Sequence, residues 1–153
     1  MSRRDEKPPI VVLDTNAVLD WAVFREPSFA ALSAAIDAGH LRWVGTARMR
    51  NELAHVLARG HLAAYQSDSL PVLDLWDRYC ELLPEPAGTT GRLRCSDPDD
   101  QMFIDLVVGV SGQWLISRDR AVLKLAKRLR ELDIIVATPD GWRTGVRSGR
   151  SSA

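Results

Sequence analysis

Two hydrophobic patterns alternate along this chain. Short continuous apolar runs, at residues 10–13 and 114–116, end in polar residues and predict strands that are buried on both faces. Longer segments carry apolar residues three or four positions apart, as Met49, Leu53 and Val56 do, and predict amphipathic helices. Because strands that alternate with helices favour a parallel sheet, the pattern predicts an α/β fold.

Turn-forming residues divide the chain into predicted elements. Gly39 and Gly60 follow periodic apolar segments and predict helix ends, and Pro98 after Asp97 predicts a helix start. The predicted strands cover residues 10–13, 41–44, 80–83, 114–117 and 134–136. The predicted helices cover residues 17–24, 27–38, 46–59, 61–65, 68–79, 98–110 and 122–129.

The length of 153 residues and an apolar content of 46% indicate one folded domain. We predict a flexible N-terminus at residues 1–8, a folded domain at residues 9–139 and a flexible basic tail at residues 140–153. The chain lacks both an apolar stretch of roughly 18 residues and a secretion signal, so we expect a cytoplasmic protein without membrane contact. Cys80 and Cys95 lack metal-ligand spacing and are expected to be reduced thiols.

Acidic and basic residues balance in this chain, with 20 of each. A net charge of zero argues against a protein that binds nucleic acid through its global charge. A local basic rim remains compatible with this balance, because the arginines are clustered. The clustered arginines that are candidates to hold phosphate groups are Arg48, Arg50, Arg118 and Arg120.

Acidic residues occupy the positions where an α/β sheet binds its ligands. Asp14 and Asp119 each follow a predicted buried strand, and the carboxyl ends of parallel strands meet at one edge. Glu52 flanks the apolar stripe of one helix, and Asp100 lies one turn before Ile104 on the buried side of another. Each acid alone has an ordinary structural interpretation, as a helix cap or a solvated side chain. Together they predict four carboxylates in one cleft.

The acidic segment at residues 97–100 contains three candidate carboxylates. With Pro98 at the first helical position, Asp97 is the expected N-cap and Asp99 the expected surface residue. Asp100 is favoured as the site residue because it lies on the apolar side of the helix, whereas the other two are expected to point elsewhere. Asp97 remains the alternative, as a cap or an outer ligand.

Four carboxylates in one cleft raise one another's pKa values unless a cation lies between them. Ligand sets made only of oxygen favour Mg²⁺ or Mn²⁺ over zinc or copper. Such a centre activates water for in-line displacement at a phosphoryl group, and arginines around it hold phosphates. This combination predicts a nuclease.

Four segments of the sequence resemble the acidic blocks of PIN domains. They are Val11-Val12-Leu13-Asp14-Thr15-Asn16, Asn51-Glu52-Leu53, Asp97-Pro98-Asp99-Asp100 and Leu115-Ile116-Ser117-Arg118-Asp119. Their order and spacing agree with the family over about residues 9–138. The chain is similar to the bacterial PIN proteins of the VapC type, which are regarded as toxins of toxin–antitoxin pairs.

The resemblance implies a three-layer α/β/α fold with a central, mainly parallel sheet, and an endoribonuclease that depends on Mg²⁺ or Mn²⁺. It also implies an RNA substrate, a homodimer and a cognate antitoxin protein that holds the enzyme inactive. The residues that it assigns as catalytic, metal-binding carboxylates are Asp14, Glu52, Asp100 and Asp119. The residues that it assigns as their hydrogen-bonding supports are Asn16, Ser117 and Thr15. In this setting the candidate RNA contacts are Arg48, Arg50, Arg118 and Arg120.

Two positions depart from the pattern of that subgroup. Gln101 stands where a second Asp or Asn is common, and Val107 stands where a small residue is common. Both departures fall within the third acidic block and the helix that follows it, so they bear on which acid of that block binds the metal.

Three other functions share part of this pattern. A phosphatase of the haloacid dehalogenase type also begins with an apolar strand that ends in Asp, but it needs a second acid where this chain has Asn16. A catalytically silent interaction scaffold is disfavoured because all four acids are present. A flap-type DNA nuclease is chemically compatible, but this length leaves little extra structure to hold branched DNA.

Overall fold

Five parallel strands form the centre of the protein. The computed structural model describes residues 7–59, 70–88 and 93–142. Its strands are β1 (Ile10–Leu13), β2 (Arg42–Gly45), β3 (Glu81–Leu82), β4 (Trp114–Ile116) and β5 (Ile135–Ala137). They lie in the order β3-β2-β1-β4-β5, and all neighbouring pairs are parallel. The predicted α/β fold is confirmed, and each strand ends within one residue of its predicted bounds.

Seven α-helices lie in the described residues. They are α1 (Thr15–Ala22), α2 (Ala30–Asp37), α3 (Ala47–Ala58), α4 (Leu70–Tyr79), α5 (Gln101–Gly109), α6 (Arg120–Leu123) and α7 (Ala126–Arg130). Two 3₁₀ turns, Pro27–Phe29 and Pro98–Asp100, precede α2 and α5. None of the described helices has the length and apolar character needed to cross a membrane. The helix predicted at residues 61–65 lies outside the described residues.

Local signals explain where several of these helices begin and end. Thr46 caps α3, since its hydroxyl accepts a hydrogen bond from the Met49 N–H at 3.3 Å. Gly39, just after α2, has a φ of +82°, a left-handed conformation that carries no steric cost for glycine. The helix predicted after β4 is instead divided in two. There the Leu125 N–H donates to the Val122 carbonyl at 2.9 Å, a 3₁₀-type bond that separates α6 from α7.

The strand order determines which face of the sheet each helix covers. Connections between parallel strands are right-handed in nearly all proteins. In this sheet β2 and β3 lie on one side of β1, and β4 and β5 lie on the other side. The helices that lead from β1 to β3, α1–α4, therefore cover one face of the sheet, and α5–α7 cover the opposite face. The packing agrees, because α1, α3 and α4 contact one another while α5 contacts β1 and β4. Two layers of helices thus enclose β1, in which Val11 and Val12 are fully buried.

The direction of the connections reverses between β1 and β4, and ligands of open α/β sheets bind at such a point. Leu13 pairs with Ile116 across these strands, so the next residue of each strand, Asp14 and Ser117, lies at the same level. The Asp14 N–H donates to the Ile116 carbonyl at 3.2 Å and extends the pairing by one bond. The sheet therefore presents an acid and a hydroxyl side by side at its carboxyl edge.

Aromatic side chains fill much of the core. The Trp43 ring lies 5.5 Å from that of Trp21 and 6.0 Å from that of Trp76. Trp142 meets the edge of Trp114 at 5.9 Å and is only 5% exposed. The folded part therefore extends to Trp142, beyond the boundary predicted at residue 139. The remaining residues of the predicted flexible termini, 1–6 and 143–153, lie outside the described residues.

Both cysteines are buried and carry free thiols, as predicted. Burial raises the pKa of Cys80 and of Cys95 above the ordinary value of a thiol. Each side chain therefore stays protonated near neutral pH and packs as a small apolar group.

Candidate metal centre

Asp14 lies at the floor of a cleft and is held by two hydrogen bonds. Its Oδ1 accepts from the Ala17 N–H at 2.8 Å, so Asp14 is the N-cap of α1, and its Oδ2 accepts from the Ser117 hydroxyl at 2.6 Å. Burial raises the pKa of Asp14 to about 6, although both hydrogen bonds act to lower it. Asp14 is therefore a helix cap and also a fixed, poorly solvated acid that faces the cleft.

Ser117 connects the two acids that follow the central strands. Its fully buried hydroxyl accepts a hydrogen bond from the Asp119 N–H at 3.0 Å and donates its own proton to Asp14. Asp119 in turn caps α6, since its Oδ1 accepts from the Ala121 N–H at 2.9 Å. One hydroxyl thus fixes the Asp14 carboxylate and the turn that carries Asp119.

Replacing Ser117 with alanine should weaken binding of Mg²⁺ or Mn²⁺ by about 10- to 100-fold, because the hydroxyl orients an acid of the site. The change also leaves a buried carboxylate oxygen of Asp14 and the partly buried N–H of Asp119 without these hydrogen bonds, which should lower the free energy of unfolding by about 1–3 kcal/mol. Calorimetric titration of the metal and urea unfolding measure the two effects. Ser33→Ala is the matched control, since the Ser33 hydroxyl donates to the Ala30 carbonyl within α2 at 3.1 Å, away from the acids. Unchanged metal affinity in Ser117→Ala would limit the hydroxyl to a role in folding.

The 3₁₀ turn at Pro98–Asp100 places two acids on one side. Asp97 is the predicted N-cap of this turn, with its Oδ1 accepting from the Asp99 N–H at 3.0 Å. The expectation that Asp97 points elsewhere than Asp100 is wrong, because its carboxylate lies beside those of Asp100 and Asp119. That expectation treated the segment as an α-helix, whereas Asp97 has an extended backbone and precedes a 3₁₀ turn.

Three acids form a cluster that can hold a cation. One carboxylate oxygen from each of Asp97, Asp100 and Asp119 lies within 4.8 Å of the other two. Burial, followed by hydrogen bonding to Asp119 and its charge, raises the pKa of Asp100 to about 7, and the charges of Asp97 and Asp14 act in the same direction. The Oδ2 of Asp100 is buried and has no hydrogen-bond partner among the described residues. A buried oxygen without a partner, among like charges and oxygen-only donors, fits a divalent cation such as Mg²⁺ or Mn²⁺.

The predicted acids meet around a cleft of about 390 Å³. Asp14, Asp100 and Glu52 all line it, with the half-buried Glu52 on the wall formed by α3. Glu52 is not one of the three clustered acids, and Asp119 joins the site through its proximity to Asp100. The other sequence candidates that line the cleft are Thr15, Asn16 and Asp99. Asp99 is exposed, as expected, but the expectation that it points elsewhere than the site is wrong.

Five residues that line this cleft were not among the site residues predicted from the sequence: Leu19, Phe24, Val56, Arg59 and Phe103. Phe103 follows from the helical pattern of α5, but Phe24 sits two residues beyond the end of α1 and carries no local signal. Arg59 lies seven positions after Glu52, a spacing that places both on one side of a helix. That spacing was the available signal for a cation at the cleft.

Two of the four arginines predicted to contact RNA are engaged within the fold. Arg50 forms a bidentate pair with Asp77, at 2.7 and 2.8 Å, and Arg118 donates to Asp20 at 3.1 Å. These pairs join side chains that lie far apart in the sequence, so the sequence alone did not reveal them. The other two candidates are exposed: Arg48 and Arg120.

Gln101, which departs from the subgroup pattern, supports the segment before the 3₁₀ turn. Its Nε2 donates to the Leu93 carbonyl at 3.1 Å and to the Asp105 Oδ1 at 3.0 Å, and its Oε1 accepts from the Cys95 N–H. An aspartate has no side-chain donor for the first two bonds when it is ionised. The amide at this position therefore stabilises the backbone that leads to Asp97.

A sequence profile described as PIN domain matches residues 10–121, which include all four acidic segments. The chain belongs to the PIN domain family, as its motifs predicted. No curated protein matches it. PIN domains are generally metal-dependent nucleases, and the described residues provide an acidic cluster that can bind a divalent cation.

Proposed function

We propose that this protein is a metal-dependent endoribonuclease that hydrolyses RNA phosphodiester bonds and uses Mg²⁺ or Mn²⁺. The observation that carries the proposal is the cluster of Asp97, Asp100 and Asp119, next to Asp14 at the reversal point of the sheet. Within it, Asp100 keeps a buried oxygen that no described residue satisfies. This arrangement costs free energy in the isolated fold, which is expected where a site is built for a cation.

The residues that would hold the cation are Asp100 and Asp119, with Asp14, Glu52 and Asp97 as further oxygen donors. A divalent cation supplies Lewis-acid activation of water and offsets the charge that develops on a phosphoryl group. The chain contributes the positioning. Ser117 fixes the orientation of one acid by hydrogen bonding, and the caps of α1 and α6 hold two acids at helix starts.

We also propose a biological setting for this activity. The resemblance to VapC-type proteins supports a toxin of a type II toxin–antitoxin pair, with a cognate antitoxin as protein partner. The same resemblance supports a homodimer that acts in the cytoplasm. These proposals rest on the motifs at residues 11–16, 51–53, 97–100 and 115–119.

Incubation of the purified protein with total RNA tests the activity directly. We expect cleavage with Mg²⁺ or Mn²⁺, no cleavage with EDTA, and no cleavage by an Asp100→Ala variant. Cleavage that survives in this variant would move the central role to Asp97 or Asp99, or indicate a contaminating nuclease. If neither metal supports cleavage of bulk RNA or of a panel of structured RNAs, the nuclease assignment is wrong and an interaction scaffold is favoured.

A further inference from the structure

One side of α3 carries a row of polar residues beside the cleft. Each of them is three or four positions from another member, so they lie along one side of α3 and its C-cap residue, away from the buried Met49 and Leu53. We refer to this row as the α3 stripe. It consists of Arg48, Asn51, Glu52, His55 and Arg59.

A surface groove follows the α3 stripe. Glu52 and Asp99 line both the acidic cleft and a neighbouring depression, while Arg48 and Asn51 line that depression and a third one. Shared walls make the three concavities contiguous. Glu52 lies between the two arginines in the sequence of α3, so the groove passes the acidic cleft between Arg48 and Arg59.

The guanidinium groups of the two arginines at the ends of the α3 stripe have no acidic partner among the described residues. Arg48 and Arg59 are exposed and form no ion pair with the described residues. By contrast, Arg42 pairs with Glu81 and Arg50 pairs with Asp77. Arg59 lies eleven positions after Arg48, which corresponds to about 16 Å along the helix axis. Two cations thus lie on either side of an acidic centre.

We propose that the α3 stripe guides a single strand of RNA across the cleft, with Arg48 and Arg59 binding phosphates on opposite sides of the cleaved bond. This inference rests on the proposed nuclease function and adds the path of the substrate. A guanidinium group suits a phosphate because it donates hydrogen bonds in a planar fork. Since the chain has no net charge, affinity for RNA has to come from local contacts of this kind.

The geometry favours a single strand over a duplex. One row of cations on one helix follows one phosphate backbone. The Asp14 carboxylate at the floor of the cleft is 3% exposed, so the cleaved bond has to enter a recess. A flexible strand bends into such a recess, whereas a duplex keeps its backbone on a convex, stiff surface. Asn51 and His55, between the two arginines, offer hydrogen bonds to sugars or bases along this path.

Binding of a short, fluorescent, single-stranded RNA in EDTA tests the path without cleavage. We expect Arg48→Ala and Arg59→Ala each to weaken binding several-fold and to reduce the slope of log K against log salt by about 0.7, the value for one phosphate on a single strand. Arg48→Lys and Arg59→Lys should keep the slope. Arg130→Ala is the matched control, because Arg130 is exposed on α7, which packs against β5 at the opposite edge of the sheet. Thermal unfolding of each variant confirms that the fold is retained.

Cleavage kinetics separate this inference from the proposed function. With Mg²⁺ or Mn²⁺, the two alanine variants should raise KM on a long single strand and leave kcat nearly unchanged, because the arginines bind flanking phosphates. If both variants keep the affinity and the salt slope of the wild type, the proposed RNA path along the α3 stripe is wrong, even if the protein cuts RNA. Equal or tighter binding of duplex RNA would overturn the single-strand assignment. Failure of the wild type to cut any RNA overturns the nuclease function, whatever the binding assay shows.

Discussion

Asp100→Asn should abolish metal-dependent RNA cleavage and, at pH about 8 without metal, raise the melting temperature of the protein. Loss of a central ligand should reduce kcat/KM by more than about 100-fold, which exceeds the usual effect of residues that only support a ligand. The stability gain arises because the asparagine removes one negative charge from beside Asp97 and Asp119. Because the site is partly open to water, we expect a gain of only about 1 kcal/mol, or about 2–4 °C at this chain length.

Asp74→Asn is the matched control for this experiment. Asp74 is exposed on α4, and its carboxylate neither belongs to the three clustered acids nor lines the acidic cleft. We expect this control to change both cleavage and melting temperature little. Wild-type cleavage by Asp100→Asn would remove Asp100 from the site. A lower melting temperature would show that its carboxylate stabilises the metal-free fold.

The second large effect concerns pH. In EDTA, the free energy of unfolding should fall as pH rises from about 4 to about 7, since the pKa of Asp14 is raised from 3.8 to about 6 and that of Asp100 to about 7. Between the unfolded and folded pKa values, the folded state binds more protons than the unfolded state, so protonation stabilises the fold. For the buried Asp14, a shift of about two pKa units corresponds to about 3 kcal/mol. Asp77, whose pKa is lowered, acts below pH 3.8 and leaves this window unaffected.

A divalent cation should reverse this dependence on pH. Carboxylates have to lose their protons to bind a metal, so Mg²⁺ or Mn²⁺ should stabilise the fold more at pH about 8 than at pH about 5. Urea unfolding at several pH values, with and without metal, measures both effects. Asp14→Asn should flatten the metal-free profile, and Asp37→Asn, on the exposed end of α2, serves as the control. A metal-free stability that is flat or rises between pH about 4 and about 7 would show that these acids are better solvated than the fold indicates.

The sheet and its acidic edge could be predicted from local patterns. The runs at residues 10–13 and 114–116 are apolar at every position because β1 and β4 are covered on both faces. Parallel strands then bring Asp14 and Asp119 to one edge without further information. The hydroxyl of Ser117, already suspected as a support, lies between them because Leu13 and Ile116 are in register.

Features that depend on tertiary contacts or on unusual local geometry could not be predicted from the sequence patterns. The side chain of Asp97 reaches the cluster from an extended N-cap position, just before a 3₁₀ turn that the sequence pattern did not predict. The ion pairs of Arg50 and Arg118 involve partners 27 and 98 positions away, so no local spacing reveals them. Trp142 follows a short turn, and only its contact with Trp114 shows that it belongs to the core.

The hydrogen bond between Ser117 and Asp14 spans 103 positions of the chain. A chain under synthesis contains Asp14 and Glu52 early, but it cannot complete the cleft before translation has passed residue 119. Domains generally fold as units once their chain is available, so these acids should come together only after translation has passed residue 119. An enzyme built on this cleft would therefore be inactive in every nascent chain shorter than that.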